Sequence, residues 1–192
     1  MSTQAQHGYT PEEYLALERR APCKSEYYAG EISALAGASR WHNLIVANVI
    51  GESRSQLKGR PATVYPSTMR LKVNSTGLYT YPDVTVVCGE PQFEDAQQDT
   101  LLNPTLIVEV LSESAEAYDR GGKFAHYRKL DSLLGYVLIA QAKPHIEHYA
   151  RQPDNRWLLE EADILSATLY LPSIDCRLSL AEVYDKVESI SR

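Results

Sequence analysis

Two acidic residues occupy places where acids are costly. Glu109 interrupts Thr105–Leu111, TLIVEVL, a run that otherwise reads as a strand buried on both sides. Alternation along a strand puts Ile107, Glu109 and Leu111 on one face and Leu106, Val108 and Val110 on the other. An ionised carboxylate in such company costs roughly several kcal/mol unless a cation or hydrogen-bond donor compensates it. Asp83 holds a similar place in YTYPDVTVV, directly after Pro82 and ahead of the apolar stretch Val84–Val87. If the two strands are neighbours, both carboxylates project toward one point. Such a pair, with water and a phosphate oxygen, suits Mg²⁺, which takes one or two protein carboxylates, with Mn²⁺ as a substitute. The plain structural alternative is that Asp83 caps a strand start and Glu109 pairs with a buried arginine. Residue chemistry alone leaves both open.

The segment after Glu109 adds a cation. Asp119, Lys123 and Tyr127 are spaced i, i+4, i+8 and share a helix face, so Lys123 and Tyr127 can both point toward the acids. A lysine beside a bound metal can stabilise charge growing on a phosphate and orient the attacking water. An Asp119–Lys123 surface pair is the bland reading of the same spacing. Gly121-Gly122 is unfavourable inside a helix by ~1 kcal/mol per glycine, and marks a late helix start or a close backbone approach.

The elements that must hold these residues follow from caps and periodicity. Thr10-Pro11-Glu12-Glu13 reads as a capped helix start over Pro11–Arg19. An extended stretch, Ser25–Leu35, turns at Gly30-Glu31, and a longer amphipathic helix runs from Ser39 to about Leu57. Strands are expected over Ala62–Val73, with Pro66 imposing a bulge or edge, and over Tyr79–Cys88, Thr105–Leu111 and Gly135–Gln141. A polar loop, Gly89–Asn103, separates the second and third of these. Glu116–Leu130 is helical, His145–Arg151 with Arg156–Glu160 forms a hairpin, and Ser179–Val187 a short helix. The order helix, three strands, helix, strand predicts an α/β fold with a central mixed sheet, because a strand–helix–strand unit usually makes a parallel crossover.

Composition is that of a soluble globular chain: 192 residues, 44% hydrophobic and 23% charged, one domain over 1–192. The polar start, residues 1–8, is expected to be disordered. No apolar run approaches the ~20 residues of a membrane span, and the first residues lack a secretory signal, so a cytoplasmic protein without a membrane partner is expected. Three scattered cysteines exclude a full disulfide set and zinc-type CxxC spacing. The net charge of −6 argues against coating nucleic acid by bulk charge, yet permits a local basic groove. Arg40, Arg54, Lys58, Arg60, Arg70 and Lys72 are the basic candidates for such contact. His145-Ile146-Glu147-His148 has the wrong spacing for a zinc protease, and no phosphate-binding or dinucleotide-binding glycine loop is present, so no organic cofactor is expected.

Three segments, YPDVTVVCG, NPTLIVEVLSESAEAYDRGGKFAHYRKL and GYVLIAQ, closely resemble the Uma-type family of bacterial restriction endonuclease-like proteins, a branch of the PD-(D/E)xK nuclease superfamily. The likeness extends from YYAGEI to LSLAEVYDKV. It implies the restriction endonuclease-like order α-β-β-β-α-β, with Asp83 as the PD acid and Glu109 as the second acid. Leu111 stands where the superfamily usually has lysine, and Lys123 is the position that matches it in this branch. Ser67-Thr68 stands where an acid is expected, and Ala29 where the family often carries Asp. Glu31 and His42 also match characteristic positions. The resemblance offers Glu31 as a third metal ligand and His42 as a contact to water or phosphate; a solvated turn glutamate and a helix-cap histidine are the alternatives.

The resulting expectation is a Mg²⁺-dependent endonuclease that hydrolyses DNA phosphodiester bonds in the manner of type II restriction endonucleases. Asp83, Glu109 and Lys123 would be catalytic; Asp83, Glu109 and Glu31 would bind the metal; His42 and Tyr127 would be accessory. DNA is the expected partner, and a homodimer follows from the need for two sites to cut two strands, with Tyr149, Trp157 and Tyr170 as interface candidates. The rival from another class is a catalytically silent dimeric DNA-binding or interaction module on the same fold. A metal-free, carboxylate-pair glycosidase is a further rival.

Overall fold

A computed structural model describes residues 8–188. Of the polar start, only Gly8 lies within that range. Helix α1, Pro11–Glu18, starts where a capping box predicts it: Thr10 Oγ1 accepts from the Glu13 amide and the Glu13 carboxylate accepts from the Thr10 amide. Strands β1, Ser25–Tyr28, and β2, Glu31–Ala34, form a hairpin across Ala29-Gly30. Both turn residues have positive φ, 51° and 90°, as two-residue hairpin turns require. Helix α2, Arg40–Leu57, is capped by Ser39, whose Oγ accepts from the His42 amide at 3.0 Å.

The next two apolar runs are each divided between two sheets. The first splits into β3, Ala62–Pro66, and β4, Arg70–Val73; the second splits into β5, Leu78–Thr80, and β6, Val84–Cys88. Proline supplies no amide to a ladder, so Pro66 and Pro82 both mark points where the chain leaves one sheet for the other. Strand β7, Thr100–Leu101, lies in the stretch expected to be loop and pairs in parallel with β4. Then come β8, Leu106–Leu111, and a helical stretch made of α3, Glu116–Tyr118, a π-helical turn, Asp119–Lys123, and α4, Phe124–Tyr127. Strands β9, Gly135–Ala140, β10, Ile146–Arg151, and β11, Trp157–Ala162, complete the larger sheet. A second hairpin, β12 (Thr168–Leu171) and β13 (Cys176–Ser179), precedes the single turn α5, Leu180–Val183.

The six-stranded sheet has the order β11-β10-β9-β8-β6-β3 and is mixed, since β8 and β9 are parallel while the other pairs are antiparallel. Its core elements α2, β3, β6, β8, the 116–127 helical stretch and β9 give the order α-β-β-β-α-β. The five-stranded sheet, β2-β1-β5-β4-β7, is assembled from the hairpin, the adjoining halves β4 and β5 of the split runs, and β7. Strand β8 is buried along its whole length. Leu106, Val108 and Val110 enter a core with Ile45 and Val49 of α2, while Ile107 and Leu111 face Leu71, Tyr127 and Tyr136. A third cluster, Tyr14, Leu15, Tyr27 and Tyr79, seats α1 on the smaller sheet. The closing helix is shorter than Ser179–Val187: Ser179 ends β13, and the helix stops at Val183. No helix among the described residues is long and apolar enough to cross a membrane.

Candidate active site

Asp83 is the residue at which the chain passes from β5 in the smaller sheet to β6 in the larger. Strand β6 pairs with β8 in a register that matches Val84 with Val108, Thr85 with Ile107 and Val86 with Leu106. One step beyond the Val84–Val108 pair, Asp83 comes opposite Glu109, and opposite residues of an antiparallel pair share a face. The ladder stops there, and the Asp83 carboxylate takes over as acceptor: its Oδ2 receives the Val110 amide at 2.8 Å. Its Oδ1 lies 2.8 Å from His42 Nε2, one turn into α2. His42 thus orients the acid.

Glu109 is 3% exposed, and its protein contacts all run through Oε1. That oxygen accepts from Tyr127 OH at 2.8 Å and from Lys123 Nζ at 3.3 Å. Both donors come from the helical stretch after β8, as the i, i+4 spacing predicts. Lys123 also stands 3.1 Å from Asp119 and 3.4 Å from Glu26. One ammonium therefore serves three buried carboxylates, with Asp83 close by. Burial pushes the Glu109 carboxyl up to about 8, against the pull of Lys123 and with help from the charges of Asp83 and Asp119. Burial also raises Asp119. Lys123 is lifted well above its ordinary value because its acids outweigh its own desolvation. These directions are compatible: the ammonium keeps its proton, and four acids around one cation cannot all ionise cheaply.

The π turn contains both glycines, and a close approach accounts for Gly122. A π turn widens the helix by one residue and is often found at functional sites. A Cβ on Gly122 would sit 2.7 Å from the Tyr118 ring, so glycine is what lets that ring lie across the turn. The ring in turn lies 5.7 Å from Lys123 Nζ.

A cavity of about 750 Å³ opens over this cluster. Asp83, Glu109, Asp119, Lys123 and His42 line it, together with Lys24, Tyr81 and Gln141. Asp83, Glu109, Lys123, His42 and Tyr127 are thus brought together. Glu31 is not: it is exposed in β2, opposite Tyr28 across the hairpin. Glu26 of the same hairpin occupies the inner position, accepting a short hydrogen bond from Thr80 and pairing with Lys123. A signal for Glu26 was present in its alternation with the buried Tyr27, but only the pairing of β1 with β5 turns its face toward Lys123. Of the basic candidates, Arg70 is buried against Asp99 and Tyr81, Lys72 is paired with Glu94, and Arg60 binds main-chain carbonyls at Ile174 and Asp175. Arg40, Arg54 and Lys58 are exposed. Of the aromatic residues considered for an interface, Tyr149 and Trp157 pack on Phe124, and Tyr170 is exposed.

A residue set able to hold a cation needs oxygens not already spent. Glu109 Oε2 meets this condition, since its partners are confined to Oε1, and the surplus of acid over base favours a second positive charge. Among the described residues, the three ligand-type side chains with atoms within 4.8 Å of one another are His145, Glu147 and Glu161, on the outer hairpin β10–β11. There Glu147 is bound through both oxygens by Arg120, so that group is already neutralised.

A family profile described as "Putative restriction endonuclease", Uma2, matches residues 11–181, from the capped first helix to the last. The chain belongs to the Uma2 family. The chain is also similar to two Synechocystis sp. proteins, both described as uncharacterized. The Uma2 chain is 41% identical to sll1609 over 152 residues, covering 79% of this chain and 86% of that one. It is 35% identical to slr1290 over 175 residues, or 91% and 90% of the two chains. The fold is that of a crystal structure described as "a putative nuclease belonging to DUF820" from Anabaena variabilis, with a TM-score of 0.73 over 92% of this chain and 97% of that one at 19% identity.

Proposed function

We propose that this Uma2 protein is a divalent-metal-dependent endonuclease that hydrolyses DNA phosphodiester bonds at the Asp83–Glu109 cavity. One observation carries the reading: an acid at the start of β6 and one on the adjacent β8 line one cavity, and the buried one has, among the described residues, an oxygen without a protein donor and a carboxyl held far above its ordinary range. Membership in a family described as restriction endonucleases supports the choice of substrate. Mg²⁺ or Mn²⁺ held by Asp83 and Glu109 would supply Lewis-acid chemistry at a phosphate. His42 fixes the Asp83 carboxylate, and the Val110 amide holds its other oxygen. Tyr127 and Lys123 hold Glu109 by one edge and leave the other toward the cavity. We assign Glu26 and Asp119 to keeping Lys123 charged and in place. Cutting both strands of a duplex takes two such sites, so we extend the proposal to a two-fold dimer.

The test is cleavage of supercoiled plasmid with Mg²⁺ or Mn²⁺, with and without chelator, by the parent and by Asp83→Asn and Glu109→Gln. Metal-dependent cleavage lost in both variants is expected. Undiminished cleavage in both would remove the site assignment. Absence of both cleavage and metal binding in the parent would favour a silent binding module.

A further inference from the structure

Lys123, the lysine that the sequence offers for phosphate, has no donor to spare. An ammonium has three donors, and three carboxylates stand 3.1, 3.3 and 3.4 Å from its nitrogen. It is 7% exposed. A phosphate entering the cavity would find the donors of this cation already directed at carboxylates.

Lys24 is differently placed. It immediately precedes β1, is half-buried, and lines the same cavity as Asp83 and Glu109. Its Nζ donates to the Ser67 main-chain oxygen at 2.7 Å and passes Ser67 Oγ at 3.5 Å, at the point where the chain leaves β3 for β4. The Tyr81 ring centroid is 5.3 Å away. Among the described residues, no carboxylate lies within ion-pair reach of it. The nearby acids are engaged elsewhere. Glu18 accepts from Ser25 and Tyr81, Asp83 from His42 and Val110, and Glu109 from Tyr127 and Lys123. Burial lowers the Lys24 pKa, opposed by the more distant charges of Asp83, Glu18 and Glu109. A partly desolvated ammonium bound to a neutral carbonyl still lacks a counter-anion. A backbone carbonyl anchors the side chain without neutralising it.

We propose that Lys24 is the phosphate-binding cation of the cavity, donating to a non-bridging oxygen of the nucleic-acid backbone beside the Asp83–Glu109 pair. This rests on the reading that the cavity receives a DNA backbone. It divides the two lysines by role: Lys123 positions Glu109, and Lys24 touches substrate. Because a lysine binds phosphate as a point charge, arginine should substitute for it in large part.

The test uses a fluorescein-labelled DNA duplex of mixed sequence, with Ca²⁺ replacing Mg²⁺ to prevent turnover, and reads affinity by anisotropy across a salt series. Mn²⁺ affinity is measured in parallel by calorimetry on the same proteins: parent, Lys24→Gln, Lys24→Arg and Asp83→Asn. For Lys24→Gln we expect about a tenfold loss of duplex affinity and a log K versus log salt slope shallower by about 0.9, the signature of one lost phosphate contact. Lys24→Arg should recover most of both, and Lys24→Gln should bind Mn²⁺ at least as tightly as the parent. Parental duplex affinity and slope in Lys24→Gln would overturn the proposal, as would a parent that binds no duplex. A parent that binds no Mn²⁺, while Lys24→Gln still loses slope, would bring down the metal reading and leave Lys24 standing.

Discussion

Glu109 and Glu147 stand in one row of one sheet. Glu109 is opposite Leu138 of β9, and Leu138 is opposite Glu147 of β10. Both glutamates are buried, at 3% and 4% exposure. Their fates differ because of what reaches them. Glu147 has the Arg120 guanidinium across both oxygens, with His145 and Tyr149 beside it, and these hydrogen bonds hold its carboxyl below the usual range despite burial. Glu109 shares one ammonium with two other acids, and its carboxyl is pushed up. Similar exposure thus yields one satisfied acid nearer the surface and one deeper acid that is more strongly desolvated and short of positive charge. Low exposure alone does not mark a site; depth together with the balance of charge around the group does.

The comparison is most exposed to cleavage measurements. Glu109→Gln and Asp83→Asn should each lower metal-dependent cleavage by at least about 10³-fold, while Glu147→Gln should leave the rate of the folded enzyme within about threefold. An equal loss in Glu147→Gln, measured under conditions where the variant is folded, would break the distinction. Next in size is stability. Glu147→Ala removes one of the two carboxylates on Arg120, which keeps Glu116 and is one-third exposed, so the loss should be about 2 kcal/mol in urea unfolding rather than the larger cost of a sealed pair.

The pH dependence of the two sites should have opposite sign. The Glu109 carboxyl lies above its unfolded value, so the stability it lends is present below about 4.5 and is lost as pH rises toward about 8. In the metal-free protein, Glu109→Gln should therefore raise the melting temperature by roughly 2–4 °C at pH 8 and have little effect at pH 5. Saturating Mg²⁺ should cancel the gain, since bound metal stabilises only the parent. Glu147 is held below its unfolded value, so its contribution is present above that value and lost as pH falls. The destabilisation by Glu147→Gln should accordingly fade in acid. Identical pH profiles for the two variants would sink the charge-balance account.

The smallest expected effect concerns the hairpin that carries Glu26. Ala29 has φ 51°, a conformation glycine adopts without strain. Ala29→Gly should raise stability by up to about 1 kcal/mol in thermal unfolding and leave the pH profile of the Glu109 site unchanged. The same conformation suits the Asp that the family often carries here, since Asp and Asn tolerate the left-handed region better than Ala; nothing in the structure explains the departure to Ala.

Much of this was legible in the chain itself. The Thr10 capping box and the Ser39 cap announce α1 and α2 through local hydrogen bonding. The alternation in TLIVEVL assigns Ile107, Glu109 and Leu111 to one face before any partner is known, because side chains of a strand alternate whatever the strand packs against. The spacing of Asp119, Lys123 and Tyr127 likewise survives the π turn in the middle of their helical stretch. What misled was continuity: Ala62–Val73 and Tyr79–Cys88 each read as one strand, and each is two, shared between sheets. Periodicity within a run carries no information on which sheet its halves join.

By itself, then, the sequence determined the caps, the strand faces, and the two acids whose burial demands compensation. Those are properties of bond geometry and of residues a few positions apart. The tertiary structure alone decided that Glu26 rather than Glu31 faces Lys123, that Lys123 is consumed by three carboxylates, and that Lys24 is left without one. Each of these depends on which distant side chains share a small volume, and at such distances a charge is governed by its neighbours in space rather than along the chain.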